Sequence, residues 1–178
     1  MIKILRKWIP YVICLTMTAG TLFVVLQQSL RLEGDNPQTQ MAEDIAYNLD
    51  SGLLISQYIT HDNIDISRSL DTFVIIYGND NNKISSNANI HGQEPMIPVG
   101  VLEYAKENGQ NKVTWQPETG VRIATVVNKY NNGTVLVGRS LREIEDRVEY
   151  IGILIGLSYG LGLLSTFVWL YIIEKKRN

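Results

Sequence analysis

The chain has 178 residues, of which 45% are hydrophobic and 19% charged, with a formal net charge of −2 at pH 7. This length allows one ordinary domain with appendages. Residues 30–149 carry 10 Lys and Arg against 17 Asp and Glu, and this acidic balance argues against nucleic acid as a partner. The apolar residues are concentrated, because residues 8–26 and 150–173 contain no charged side chain.

The two uncharged runs predict two transmembrane helices. Residues 150–173 extend about 36 Å at a helical rise of about 1.5 Å per residue, which is enough to cross a hydrocarbon core of about 30 Å. Basic residues flank the two runs on the sides towards the chain termini: Lys3, Arg6, Lys7, Lys175, Lys176 and Arg177. Because basic loops remain on the cytoplasmic side, both termini are expected in the cytoplasm and the segment between the runs outside it.

The predicted division is a cytoplasmic N-terminus (1–7), a first transmembrane helix (8–29), an extracytoplasmic domain (30–149), a second transmembrane helix (150–173) and a cytoplasmic tail (174–178). A cleaved signal peptide is the alternative for the first run, since a basic start and an apolar core are typical of both. No small-residue cleavage site follows that run cleanly, which favours an uncleaved anchor. Cys14 is the only cysteine and lies in this run, so the outer domain must depend on its core rather than on disulfides.

The N-terminal part of the central segment predicts helices. We expect the first transmembrane helix to end by Gly34, because Asn36-Pro37 is typical of a new helix start. The second helix is then predicted to end near Gly52 and to pack one apolar stripe on a sheet. Asp65 is predicted to cap a short helix that ends at Leu70.

The remainder of the central segment predicts an antiparallel sheet. Five strands are expected at 73–77, 83–86, 112–116, 121–129 and 134–138, with a helix at 99–107. The connections at 78–82, 117–120 and 130–133 contain hairpin-type turn residues. Hairpins at both ends of the order indicate an α+β domain, a five-stranded antiparallel sheet with its helices on one side.

Three stretches of this segment resemble a known family: DNPQTQMAEDIAYNL, FVIIYGNDNNKISSNANI and GVRIATVVNKYNNGTVLVGRSLREIE. They resemble the PAS-like extracytoplasmic sensor domains, also called PDC or single-Cache domains, of bacterial membrane histidine kinases. The resemblance covers about residues 35–149 and implies a sensor of a two-component system in a bacterial cell membrane. Such kinases continue with a phosphoacceptor helix and an ATP-binding domain. This sequence ends five residues after its second apolar run, so a sensor domain is expected without kinase activity.

The resemblance also implies a ligand site between the sheet and the loop and helix that follow the first hairpin. The residues of this sequence that it places there are Tyr77, His91, Tyr104, Trp115 and Arg122. An inward Arg122 would bind an anionic ligand, whereas strand alternation over 121–127 favours an outward, solvated side chain. Trp115 and the two tyrosines are more often residues of a hydrophobic core.

The stretch from 134 to 173 joins a strand, a capped helix and the second apolar run without a break. Ser140 and Glu143 have the spacing of a capping box. A helical seam of apolar residues and a series of small residues follow: Leu141, Ile144, Val148 and Ile151, then Gly152, Gly156 and Gly160. These positions predict helix association, with either the first span of the same chain or a second copy as the partner. Alternatively, the glycines only loosen a helix that faces lipid.

No catalytic or metal-binding constellation is evident. His61 and His91 are 30 positions apart in loop-like segments, and the acidic residues are scattered. We therefore expect no enzyme activity and no cofactor. The sequence predicts a two-pass membrane sensor that takes a small molecule or peptide as ligand and acts as a homodimer or through a membrane protein partner. The alternatives are an accessory subunit of a membrane kinase or transporter that binds no ligand, and a truncated sensor histidine kinase.

Overall fold

The structure is a computed structural model that describes residues 2–54, 59 and 63–177. Its helices are α1 (Ile2–Asp50), α2 (Val99–Asn108) and α3 (Arg142–Arg177). Its strands are β1 (Ile64–Asp65), β2 (Phe73–Gly78), β3 (Lys83–Ser86), β4 (Ala88–Asn89), β5 (Gln110–Glu118), β6 (Val121–Tyr130) and β7 (Gly133–Ser140). The chain forms two compact units: Leu32–Ile144, here called the sheet domain, and Met1–Arg31 with Glu145–Asn178, here called the helix pair.

The sheet domain contains a five-stranded antiparallel sheet in the order β3-β2-β7-β6-β5. Every neighbouring pair in this order is antiparallel, and the three hairpins β2-β3, β5-β6 and β6-β7 account for three of the four pairings. β1 and β4 form a separate parallel pair. The α+β class and the antiparallel five-stranded sheet expected from the sequence are therefore confirmed.

β2 is buried along its whole length and contributes to cores on both faces of the sheet. Because successive strand residues point to opposite faces, Phe73 and Ile75 lie on one face and Val74 and Ile76 on the other. The first face is covered by Leu102 and Ala105 of α2, and we call it the α2 face. The second, the α1 face, is covered by residues of α1: Ala42, Ile45 and Ala46. The expectation that the helices lie on one side is wrong, because both faces are apolar and each needs a cover.

α1 is a single helix of 49 residues, so the predicted break at Gly34 and Asn36-Pro37 is also wrong. Proline inside a helix removes one hydrogen bond and costs about 3 kcal/mol. The buried side of α1 beyond Pro37 is nevertheless fixed by tertiary contacts, since Gln38 and Ile45 are only 1% and 2% exposed. Packing of that side on the sheet stabilises helical structure on the C-terminal side of the proline.

The predicted short helix after Asp65 is replaced by strand β1 and a turn. The Asp65 carboxylate accepts hydrogen bonds from the Ser67 hydroxyl at 2.6 Å and the Ser67 amide at 3.1 Å. These hydrogen bonds, with the side-chain bond the largest cause, hold the pKa of Asp65 below its ordinary value. An aspartate side chain that accepts a hydrogen bond from the backbone amide two residues later favours a turn over a helix.

The start of α3 differs in detail from the predicted capping box. The Ser140 hydroxyl accepts the amide of Arg142, two residues on, at 3.3 Å. The Glu143 carboxylate accepts a hydrogen bond from the Arg139 guanidinium at 3.1 Å. The hydroxyl therefore caps the helix one residue earlier than the pattern predicts.

Gly138 is required by the close approach of an aromatic ring. It pairs with Phe73 across β2 and β7, and a Cβ placed on it would lie 2.3 Å from a Phe73 ring carbon. Phe73 is only 1% exposed, so its ring is enclosed by the core. Glycine at 138 therefore lets the ring lie directly on the backbone of the neighbouring strand.

We expect Gly138→Ala to lower the free energy of unfolding of the intact chain by about 1–3 kcal/mol through overpacking against Phe73. Chemical unfolding in detergent, followed by circular dichroism, measures this loss. Gly100→Ala is the matched control, because Gly100 lies in α2 and a Cβ added to it would have no atom within 4 Å. Equal stability of the two variants would contradict the packing described for Phe73.

Candidate functional site

Two of the five predicted ligand residues lie together in the core of the α2 face. Tyr77 and Trp115 are each 7% exposed and belong to one cluster with Ile97 and Leu102. Burial raises the pKa of Tyr77 to about 12. The phenol is therefore neutral at neutral pH and lies within a largely apolar face.

His91 lies at the edge of this face, in the loop that follows β4. Its backbone φ is 49°, in the left-handed region, and its Nε2 is 3.2 Å from Oε1 of Glu118. Glu118 is the last residue of β5, so this contact joins the loop to the edge strand of the sheet. The His91 side chain is 54% exposed and does not enter the cluster that contains Tyr77.

Tyr104 and Arg122 are not brought together with the buried pair. Tyr104 lies on α2 with 53% of its surface exposed. Arg122 is exposed near the start of β6. Strand alternation places it on the same face as Val126, which belongs to the α1 face. Its position agrees with the outward alternative, and the guanidinium lies on the face opposite to Tyr77.

Two threonines on the α2 face were not identified from the sequence. Thr125 and Thr134 are 2% and 0% exposed, and among the described residues their hydroxyls have no hydrogen-bond partner. Thr134 pairs directly with Tyr77 across β7 and β2. A buried, unpaired hydroxyl costs about 1–3 kcal/mol, so these two positions are energetically unfavourable as they stand. The available signal was a polar residue at an inward position of an apolar strand.

Asparagines hold the loop over this face in place. The Asn87 side-chain oxygen accepts the amide of Val74 at 2.8 Å, which ties the loop to β2. The Asn89 side-chain oxygen accepts the amide of Gly92 at 2.8 Å. Both side-chain oxygens therefore bind backbone amides of the same domain and fix the course of this loop.

Metal ligation finds no support in the parts of the chain that the structure describes, where no group of three or more His, Cys, Asp or Glu could hold an ion. His61 lies outside the described residues.

The helix pair contains the other predicted site. α1 and α3 each include a stretch long and apolar enough to cross a membrane. The Trp8 indole donates to the Thr166 hydroxyl at 3.0 Å and packs edge-on against Phe167 at 5.3 Å. Because the Thr16 hydroxyl donates to the carbonyl of Val12, the Tyr159 hydroxyl is the donor in its 2.8 Å bond to Thr16. Hydrogen bonds of this kind hold helices together in an apolar medium.

The glycines of α3 have different surroundings. A Cβ on Gly152 would lie 3.2 Å from the Phe23 ring, so this glycine admits an aromatic side chain of α1. Positions 156 and 160 have no atom within 4 Å of such a Cβ. Between the helices lies an apolar groove of about 410 Å³, lined by Thr16, Ala19, Gly20, Phe23, Gly152, Ile155, Gly156 and Tyr159. For Gly152, the neighbour in this structure is thus α1 of the same chain.

The predicted seam is divided between the two units. Leu141 and Ile144 belong to the sheet domain, whereas Val148 and Ile151 belong to the helix pair. All four side chains are half-buried.

Leucine substitutions distinguish the roles of these glycines. We expect Gly152→Leu to displace the Phe23 ring and lower the stability of the helix pair by about 1–3 kcal/mol, and Gly156→Leu to leave it unchanged. Thermal unfolding of the intact protein in detergent gives both values. Sedimentation in the same detergent is the control for oligomeric state. If Gly156→Leu instead lowered the stability more than Gly152→Leu and also dissociated an oligomer, these glycines would pack against a second copy of the chain.

No protein-family model, curated protein or solved structure matches this chain.

Proposed function

We propose that this chain is a two-pass membrane protein whose sheet domain is a PAS-like extracytoplasmic sensor that acts on a separate partner protein. The observation that carries the proposal is the continuity of α3 with the sheet. α3 begins at Arg142, directly after β7 ends at Ser140, and continues without interruption to Arg177 through its apolar stretch. β7 is the middle strand of the five. A change in the sheet therefore has a helical route towards the membrane-spanning segment.

Contacts within the sheet domain fix the start of that route. Arg139 donates through Nε to the carbonyl of Leu70 at 3.2 Å and through Nη2 to Glu143 at 3.1 Å. Arg142 donates to the carbonyl of Arg68 at 2.8 Å. The segment that leads into β2 is thereby attached to the first turn of α3. A displacement of β2 is expected to move this turn as well.

α1 supplies a second helical link. Its residues Ala42, Ile45 and Ala46 cover the α1 face of the sheet, and the same helix contains the N-terminal apolar stretch. Ligand binding on one face of a sheet shifts a conformational equilibrium only if the two states differ in affinity. The α2 face, with its unpaired hydroxyls, is the proposed ligand side, and α1 and α3 are the proposed output.

The proposed ligand is a small molecule with an apolar body and at least one hydrogen-bonding group. The buried Tyr77 phenol offers a donor, and Thr134 opposite it offers a hydroxyl that has no partner among the described residues. The receiving partner is proposed to be a membrane protein that contacts the helix pair or its ends. The alternatives of a docking subunit and of a truncated kinase use the same architecture.

The docking alternative has one specific observation in its favour. Tyr77 and Trp115 are nearly fully buried side chains that already pack with Ile75, Leu136 and Leu102. The same contacts are expected in an ordinary hydrophobic core that binds no ligand. In that case the sheet domain holds a partner protein and binds no ligand.

Ligand binding by the intact protein in lipid nanodiscs separates these proposals. A compound set is screened by thermal shift, and hits are tested by the emission of Trp115 in a Trp8→Phe, Trp169→Phe protein, which retains a single tryptophan. Tyr77→Phe is expected to weaken binding of a hit about tenfold through loss of one hydrogen bond. Tyr104→Phe is the matched control, because that tyrosine is exposed, and is expected to change nothing.

A hit that Tyr77→Phe leaves unaffected would place the ligand elsewhere. A screen without any hit, combined with stoichiometric capture of a membrane protein by the intact chain, would favour docking over sensing.

A further inference from the structure

The start of α1 and the end of α3 lie side by side within the helix pair. Lys7 and Glu174 form an ion pair at 2.7 Å, and the neighbouring Trp8 donates to Thr166 at 3.0 Å. Residues that are distant in sequence are thus collected at one end of the pair.

The charges gathered there have almost one sign. Residues 1–7 and 174–178 contain six Lys and Arg and a single acidic residue, Glu174, which is paired with Lys7. The side chains of Lys3, Arg6, Lys175 and Lys176 are exposed. We call these four residues, with Lys7, the cationic end. By contrast, residues 30–149 are acidic overall.

Aromatic side chains accompany the charges. Trp8 follows Lys7 directly, and Trp169 and Tyr171 precede Glu174 by a few residues. Trp169 and Tyr171 are 65% and 52% exposed. Tryptophan and tyrosine are enriched at the level of lipid headgroups, where an apolar ring and a polar group are both accommodated. This second observation places the cationic end at a membrane surface rather than in bulk water.

We infer that the cationic end binds the headgroups of anionic phospholipids. Uncharged stretches begin directly beside the cations, at Trp8 and before Glu174, so acyl chains and phosphates are contacted together. Lysine and arginine next to a spanning helix attract acidic lipids, and the attraction disappears within a Debye length. This inference rests on the proposed membrane placement. It adds a lipid specificity that would hold the paired ends of α1 and α3 at one leaflet.

Quenching of tryptophan by brominated lipids in bilayers tests the inference. The full chain carrying Trp115→Phe retains Trp8 and Trp169, both near the cationic end. It is reconstituted into phosphatidylcholine containing brominated phosphatidylglycerol or brominated phosphatidylcholine. In 0.1 M salt, we expect brominated phosphatidylglycerol to quench at least about three times as strongly as brominated phosphatidylcholine. In 1 M salt, where the Debye length is about 3 Å, we expect this ratio to approach one.

Two variants, each of which removes three positive charges, identify the residues that bind the lipid. Arg6→Gln, Lys175→Gln, Lys176→Gln is expected to abolish the preference, and Arg68→Gln, Lys112→Gln, Lys129→Gln, at exposed positions of the sheet domain, to retain it. Equal quenching by both lipids in the parent protein, or an equal effect of the two variants, would overturn the inference. Absence of quenching by brominated phosphatidylcholine would overturn the membrane placement itself, which distinguishes the two failures.

Discussion

The structure depends on one constraint, which is that the sheet has two apolar faces and neither can remain in water. Val74, Ile76 and Val126 on the α1 face are at most 1% exposed. Burying a side chain of this size contributes about 1.5–3 kcal/mol relative to exposure. A few such residues outweigh the cost of a glycine and a proline inside a helix, about 1 and 3 kcal/mol. The N-terminal helix is therefore both a membrane-span candidate and one layer of the core.

The sequence predicted the strands well and the covering helices less well. Strands are indicated by short apolar runs between turn residues, and both signals are local to the positions concerned. The path of α1 past Gly34 and Pro37 is instead decided by contacts with residues such as Val135 and Tyr130, about 90 positions later in the chain. Local helix-breaking signals do not contain that information, and tertiary packing overrode them.

The candidate site shows the same limit. The resemblance placed Tyr77 and Trp115 in one site, and the structure brings both side chains into one cluster. Thr125 and Thr134 were not identified, since threonine is an ordinary strand residue and only its burial without a partner makes it notable. For Gly152, the sequence left open two partners, and the contact with Phe23 of α1 depends on a position about 130 residues earlier in the chain, which no local pattern contains.

The proposed mechanism uses these features together. A ligand on the α2 face would act on β2 and β7. Arg139 at the end of β7 and Arg142 at the start of α3 attach this junction to the segment before β2. In the helix pair, hydrogen bonds such as that between Tyr159 and Thr16 are each worth about 0.6–2 kcal/mol. Contacts of this strength fix the pairing of the two helices, and a rearrangement of one of them costs little free energy.

The proposed link through α1 needs an unbroken helix between the sheet and the N-terminal apolar stretch, so the continuity of α1 is its most direct test. Hydrogen exchange of the intact protein in nanodiscs, resolved over residues 32–46, measures it. We expect the amides at 38–41 to exchange as slowly as those at 42–46, which cover the sheet. If the amides at 34–41 exchanged within seconds while those at 42–46 stayed protected, α1 would be two helices with a break, and the link through α1 would be contradicted.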